Sequence, residues 1–391
     1  MTHGSTTVQK LKLGMIGGGN DAFIGAVHRA AAVLDARFEF VAGALSSTPE
    51  RSLASGHALG LPEDRIYATW KDMLEGERRR PENERVDVVS IVTPNNVHAE
   101  IALPFIDAGF NIICEKPMVT TSAEAAKLAA AVERSGVVFG VCYNYSGYPM
   151  VKEAAALVRS GAIGNIRKVF VEYHQGWLAD NLETTGQKQA SWRVDPARAG
   201  IGGAIGDIGT HAENLLTTVT GLRIEALCAD LTSFVPDRRL DDDASILLRL
   251  SNGAKAVLTV SQICIGEENN LSLRIHGDGG SLAWRQEEPN HLTICRADGS
   301  RQILARGGPG LAPETNHASR LPTGHPEGFI EAFANIYRAV ADGVLHKRGA
   351  LATIPSMPPT VHDGVQGVAF IEKVVQSAKA GATWVQYHTT Q

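Results

Sequence analysis

Three consecutive glycines, Gly17-Gly18-Gly19, close an apolar run, Leu11–Ile16, and a helix-like stretch opens at Gly25. Glycines at such a place let the backbone turn tightly and bring N–H groups against a pyrophosphate at a helix N-terminus. The expected chemistry is dinucleotide binding, with Gly17, Gly19, Asn20, Phe23 and Ile24 around the phosphates. The spacing is irregular, because five residues separate Gly19 from Gly25 where the usual fingerprint has about two. That fingerprint also carries an acidic residue about 20 positions further on, bound to the adenosine ribose. Here Ser46 and Ser47 stand in its place, with Arg51 following. Without the carboxylate a 2′-phosphate meets no repulsion, and Arg51 could approach one, so NAD and NADP both stay open. A lysine before a proline, Lys116, and an aspartate and histidine four apart, Asp207 and His211, are each ordinary in isolation.

The elements that must position these residues are legible along the chain. Short apolar β-type runs (Leu11–Ile16, Phe38–Ala44, Val86–Val92, Asn111–Cys114 and Val137–Val141) alternate with helix-like stretches such as Gly25–Leu34, Ala99–Ala108 and Ser122–Arg134. That alternation predicts βαβ units and a parallel sheet covered on both faces. The charged segment Glu75–Arg85 is expected to be a solvated loop. After about residue 145 the pattern changes. A helix (Pro149–Ser160) and a run of β-type segments follow, joined at Ser251-Asn252-Gly253, Asp278-Gly279-Gly280 and Asp298-Gly299, which are hairpin signals. Two helical stretches, Pro326–Ala341 and Asp363–Ala380, close the chain. The expected architecture is α/β plus α+β. A Rossmann dinucleotide-binding domain takes residues 1–145, and a C-terminal α+β domain on a mostly antiparallel, open-faced sheet takes residues 146–391.

Further motifs follow the strands. Val92-Thr93-Pro94-Asn95-Asn96-Val97-His98 trails one apolar run and Cys114-Glu115-Lys116-Pro117 the next. In the second half stand Ser191-Trp192-Arg193 and Gly202-Gly203-Ala204-Ile205-Gly206-Asp207-Ile208-Gly209-Thr210-His211. With the glycine loop, these resemble the Gfo/Idh/MocA oxidoreductases, relatives of glucose–fructose oxidoreductase and inositol 2-dehydrogenase. The resemblance runs in matching order over nearly the whole chain. Two departures stand out: about three extra residues in the glycine loop, and no acidic residue at the second strand's end.

The resemblance implies that Lys116, Asp207 and His211 form a catalytic set, and the chemistry of a secondary alcohol agrees with it. Its oxidation needs a base for the hydroxyl proton and a cation or donor at the oxygen. Histidine exchanges protons near neutral pH, and an ammonium stabilises developing negative charge. His211 is accordingly expected as general acid/base, Lys116 as the oxygen-polarising donor, and Asp207 as the residue that orients His211 from one helical turn away; the resemblance leaves Lys116 as the proton carrier open as the alternative. Thr93, Pro94, Asn95, Asn96, His98, Glu115 and Asn144 are expected on the cofactor side, where parallel strands end. Tyr143, His174, Trp192, Arg193 and His325 join the catalytic three as expected substrate contacts, offering an aromatic face and hydrogen-bond donors to a polyol.

The implied activity is hydride transfer between a nicotinamide cofactor and a secondary hydroxyl of a sugar, glycoside or cyclic polyol. A redox glycosidase and a non-catalytic NAD(P) sensor are the alternatives. Composition excludes other classes. Hydrophobic residues are 44% of the 391 and charged residues 20%, enough apolar surface for packed domains. No run of about 18 apolar residues suggests a membrane span. A net charge of −5 gives no footprint for a nucleic acid. No leader pattern and no metal-ligand set is seen, and the five scattered cysteines suit a reducing cytoplasm. An open-faced sheet suggests a homo-oligomer, a dimer or tetramer.

Overall fold

The computed structural model describes residues 10–20 and 22–387. Five apolar runs form strands β1 (Leu11–Gly17), β2 (Phe38–Ala44), β3 (Val88–Val92), β4 (Asn111–Cys114) and β5 (Phe139–Val141). Every residue of β3, β4 and β5 is buried, as strands covered on both faces must be. All pairings are parallel, in the order β2-β1-β3-β4-β5. The chain leaves β1 toward one edge and returns to β3 on the other side. A crevice therefore opens beyond the strands' C-terminal ends.

The second sheet has nine strands: β6 (Ile166–His174), β7 (Ile224–Thr232), β8 (Asp243–Leu250), β9 (Lys255–Ser261), β10 (Asn270–Gly277), β11 (Gly280–Arg285), β12 (His291–Arg296), β13 (Arg301–Ala305) and β14 (Val385–Gln386). Its order is β13-β12-β11-β10-β6-β9-β8-β7-β14, antiparallel except between β6 and β9. The strict in–out alternation of β8 shows one covered face and one open face. The covered face packs Val169, Val171, Ile246, Leu258 and Leu273 against the helices Pro149–Arg159, Thr210–Thr220 and Val361–Lys379.

Packing departs from chain order at the end. The helix Phe329–Lys347 puts Phe333, Tyr337, Val340 and Val344 against Leu11, Leu13 and Ile113 of the first sheet, beside the helix Phe23–Leu34. The helix Val361–Lys379 gives Val368 to the first sheet's core and Phe370 and Val374 to the second's. These two helices tie the sheets together and bring the crevice against the second sheet.

One expected loop is in part helix. Of Glu75–Arg85, residues 75–79 belong to the helix Trp70–Arg79, started by a capping box between Thr69 and Asp72. Glu77 is fully buried there, pairs with Arg65 at 2.6 Å, and accepts from Tyr67 and from the Val86 amide. Its charge serves an internal ion pair, so the run is not uniformly solvated. No helix among the described residues is long and apolar enough to cross a membrane.

Candidate active site

A cavity of about 1290 Å³ occupies the crevice and extends onto the second sheet. At its floor the glycine loop is sterically locked. Gly17 has φ +77°, and a Cβ there would lie 2.4 Å from the Val92 carbonyl oxygen. A Cβ on Gly25 would lie 2.0 Å from the Gly18 carbonyl oxygen. Gly25 therefore supplies the close helix-to-turn contact that the fingerprint needs. The extra residues between Gly19 and Gly25 do not break that contact; Asp21 among them lies outside the described residues. No side chain caps the N-terminus of the helix Phe23–Leu34, and no acidic residue stands in its first turn. Its first N–H groups thus remain available to an anion.

The other expected cofactor residues divide along the crevice. Gly17, Gly19, Asn20, Phe23 and Ile24 line the loop end, and Ser46, Ser47 and Arg51 line the β2 end. Thr93, Pro94, Asn95, Asn96, Glu115, Lys116 and Asn144 line the β3–β5 side. His98 does not reach the cavity. It is fully buried and bonded to the carbonyl oxygens of Thr93, Pro117 and Met118, so it staples the two motif loops together from behind.

Asp207 is the centre of the polar site. Lys116 Nζ donates to Asp207 Oδ1 at 2.9 Å and to the Asp207 carbonyl oxygen at 2.7 Å. Arg193 Nε and Gln262 Nε2 donate to Oδ2 at 3.1 and 2.9 Å. Burial pushes the carboxyl group up, but Lys116 and Arg193 outweigh it and hold Asp207 well below the ordinary carboxylate range. His211 lies beside this cluster, buried, with Nδ1 unpartnered. Burial and the Lys116 charge push its imidazole well below the usual histidine value, against the pull of Asp207.

The expected orienting contact, an imidazole N–H of His211 donating to Asp207, is not formed. Residues Ile205–Gly209 make a π turn before the regular helix Thr210–Thr220. A π turn is wider than an α turn and rotates Asp207 away, toward Lys116 and Arg193. His211 is instead boxed by aromatic edges, with ring centroids 4.8 Å from Tyr145 and 5.8 Å from Tyr143.

On the second sheet the structure brings in Trp192 and Arg193 but not three other expected contacts. Tyr143 is buried behind His211 and bonded to Thr210. His174 points to the open face of the sheet and meets Thr259 at 3.0 Å. His325 is exposed outside the cavity, its carbonyl oxygen taken by Arg306. Their places are filled by residues that sequence reasoning missed. Tyr145 and Tyr173 share a 2.5 Å hydrogen bond, Tyr173 and Gln175 both donate to Asn269, and Trp177 donates to Gln175. A signal existed. Val169 and Val171 face inward on β6, so period-two alternation puts Tyr173 inward and His174 outward.

With this geometry in place, comparison with known proteins is decisive. The family model described as "Oxidoreductase family, NAD-binding Rossmann fold" matches residues 11–143, and the GFO/IDH/MocA C-terminal domain matches residues 151–283. The chain belongs to the Gfo/Idh/MocA family. Its Gfo/Idh/MocA relatives include an uncharacterized oxidoreductase, YfiI, of Bacillus subtilis, 35% identical over 99% of this chain and 100% of that one. An inositol dehydrogenase homolog from Azotobacter vinelandii, solved in complex with NAD+, is 35% identical, with TM-score 0.93 over 99% and 100% of the two chains. Levoglucosan dehydrogenase of Pseudarthrobacter phenanthrenivorans is 29% identical over 97% of this chain and 98% of its own. This Gfo/Idh/MocA protein is thus an oxidoreductase with an NAD-binding Rossmann fold and a mostly antiparallel second sheet.

Proposed function

We propose that the protein oxidises a secondary hydroxyl of a sugar, glycoside or cyclic polyol with NAD(P), and reduces the ketone in reverse. The observation that carries this reading is the meeting, at one end of the cavity, of Lys116, Asp207 and His211. The names of the inositol and levoglucosan relatives support the substrate class.

The residues present fit the dinucleotide. The uncapped helix at Phe23 would hold the phosphates, the β2 end with Ser46, Ser47 and Arg51 would hold the adenosine ribose, and Asn95, Glu115 and Asn144 would hold the nicotinamide end. When bound, the cofactor supplies the hydride acceptor. The rest is the chain's own chemistry. The Lys116 ammonium, anchored on Asp207, polarises the substrate oxygen. His211, kept neutral by burial, accepts the hydroxyl proton. Arg193 and Gln262 donate to the far oxygen of Asp207 and orient the carboxylate, so its near oxygen stays with Lys116. The Tyr145, Tyr173, Gln175 and Asn269 network and the Trp192 ring suit a neutral polyhydroxylated ring.

The same proposal places the protein in the cytoplasm, with five unpaired cysteines in support. It also makes the protein a homo-oligomer through the second sheet, whose open face carries Phe170, Leu247 and Ile303. The functional test is an absorbance screen of NAD and NADP against inositols, free sugars and glycosides, with released aglycone measured in parallel. Accumulating NAD(P)H with one of these substrates is expected. Aglycone release without it would replace a dehydrogenase by a redox glycosidase, and cofactor binding with no turnover of either kind would leave a sensor.

A further inference from the structure

Behind the proposed nicotinamide end runs a buried line of side chains from four separate segments. Ser90 Oγ on β3 lies 2.8 Å from the Tyr337 hydroxyl, which lies 2.7 Å from His28 Nδ1. His28 Nε2 lies 2.7 Å from Glu115 Oε1, and Glu115 Oε2 accepts from the Lys116 amide at 3.1 Å. His28 and Ser90 are fully buried and Tyr337 nearly so; Glu115 alone reaches the cavity wall. Neither His28 nor Tyr337 has a part in the chemistry above.

With Glu115 ionised, the following donors satisfy the whole line. Ser90 donates to the Tyr337 oxygen, Tyr337 donates to His28 Nδ1, and His28 Nε2–H donates to Glu115. This arrangement leaves Glu115 an ionised carboxylate with both oxygens held. Burial pushes the Glu115 carboxyl up, but His28 and Lys116 overcome it and bring it below the ordinary range. Cys142 Sγ also lies within 4.8 Å of the His28 and Glu115 ligand atoms. Those two already satisfy each other, and burial pushes the Cys142 thiol well up, so the group makes a poor metal site.

We propose that His28 is a positioning residue that fixes an ionised Glu115 at the nicotinamide end and so biases the cleft toward the oxidised, cationic cofactor over the reduced, neutral one. This rests on the cofactor placement proposed above. An ionised carboxylate stabilises a nearby positive ring and gains nothing from the neutral ring.

The test measures dissociation constants of NAD+ and NADH by calorimetry on the full chain, for the native protein, Glu115→Gln, His28→Leu and His28→Gln. Glu115→Gln should shift the ratio of the two constants about tenfold against NAD+, the size of a modest unscreened charge interaction. His28→Leu, which removes the donor, should shift it the same way. His28→Gln, whose amide can reach the Nε2 position, should restore most of the native ratio. An unchanged ratio in Glu115→Gln, or a uniform weakening of both ligands in His28→Leu, overturns the proposal. Should His28→Leu not fold, Tyr337→Phe takes its place, since it frees the ring while keeping the packing, and the same ratio shift is required of it. Failure of the native protein to bind NAD+, NADH or their 2′-phosphorylated counterparts would instead overturn the cofactor reading itself.

Discussion

Replacing Lys116 by methionine separates the chemistry of the site from its architecture. The ammonium lies 2.9 Å from Asp207 Oδ1. At an effective dielectric of about 20, the gross attraction at that distance is about 6 kcal/mol. Most of this does not appear as lost stability, because Arg193 at 3.1 Å and Gln262 at 2.9 Å remain on the other oxygen. Asp207 stays ionised, so the net cost is that of a partly compensated pair, about 1–3 kcal/mol. The thioether keeps the stem's packing. Turnover has no such reserve, since among the described residues no other cation contacts Asp207 Oδ1. Losing the donor at the reacting oxygen should lower kcat about a thousandfold, about 4 kcal/mol in the barrier. The assay pairs NADH absorbance with calorimetric binding of NAD+ and a thermal melt. The expected pattern is a collapsed kcat, NAD+ affinity within about threefold of native, and a melting temperature only a few degrees lower. Turnover within tenfold of native would refute the assigned role, and loss of NAD+ binding in parallel would move Lys116 into the cofactor site.

Three further outcomes follow from the geometry. His211→Asn should lower turnover by about 10²–10⁴; because the native imidazole is held below its usual value, kcat/KM for oxidation should fall only below about pH 6.5, and the variant should lose that acid limb. A native limb well above neutral pH would argue against His211 as the base. Gly25→Ala should abolish NAD+ binding in calorimetry, since its Cβ would lie 2.0 Å from the Gly18 carbonyl oxygen; native affinity would mean the loop does not cradle phosphate. Glu213, beside Asp363, is pushed up to about 8 by burial and that carboxylate. A raised carboxyl binds its proton better when folded, so this stabilisation is complete below about pH 4.3 and is lost as pH rises toward 8. Glu213→Gln should therefore gain at least about 1 kcal/mol over native at pH 8.5 and little at pH 5 in urea unfolding, and equal midpoints at both pH values would contradict the assignment.

The five strands of the first sheet were legible because each is a short apolar run closed by a turn signal, and burial on both faces leaves little alternative. The hairpins of the second sheet were legible from Asn-Gly and Asp-Gly pairs. What escaped depends on contacts distant in the chain. Nothing within Phe329–Lys347 says that its apolar face belongs to β1 and β4 and not to the nearer second sheet. Nor does the charge of Glu77 announce that Arg65, Tyr67 and the Val86 amide will enclose it. A strand as short as Val385–Gln386 has no pattern of its own, and it exists because β7 offers an edge.

For the site, the residue types were legible and their mutual roles were not. The spacing of Asp207 and His211 implies one helical face only if the segment is an α-helix. Gly206 and Gly209 lie within a π turn instead, and one extra residue in that turn is enough to redirect a carboxylate. Asp207 thereby exchanges a local partner four residues away for Lys116 and Arg193, 91 and 14 residues away. The exchange has a functional consequence. Anchored on Asp207, Lys116 is held at the junction of the two sheets, so on the proposed mechanism the oxygen-polarising charge is in place only when both sheets are docked. His211, released from a carboxylate, stays neutral and retains an unpartnered ring nitrogen. A histidine paired to Asp207 would hold its proton more tightly and be the poorer base for a hydroxyl. On the proposed mechanism, the π turn thus separates cation from base, giving one residue its counter-ion and leaving the other free to accept a proton.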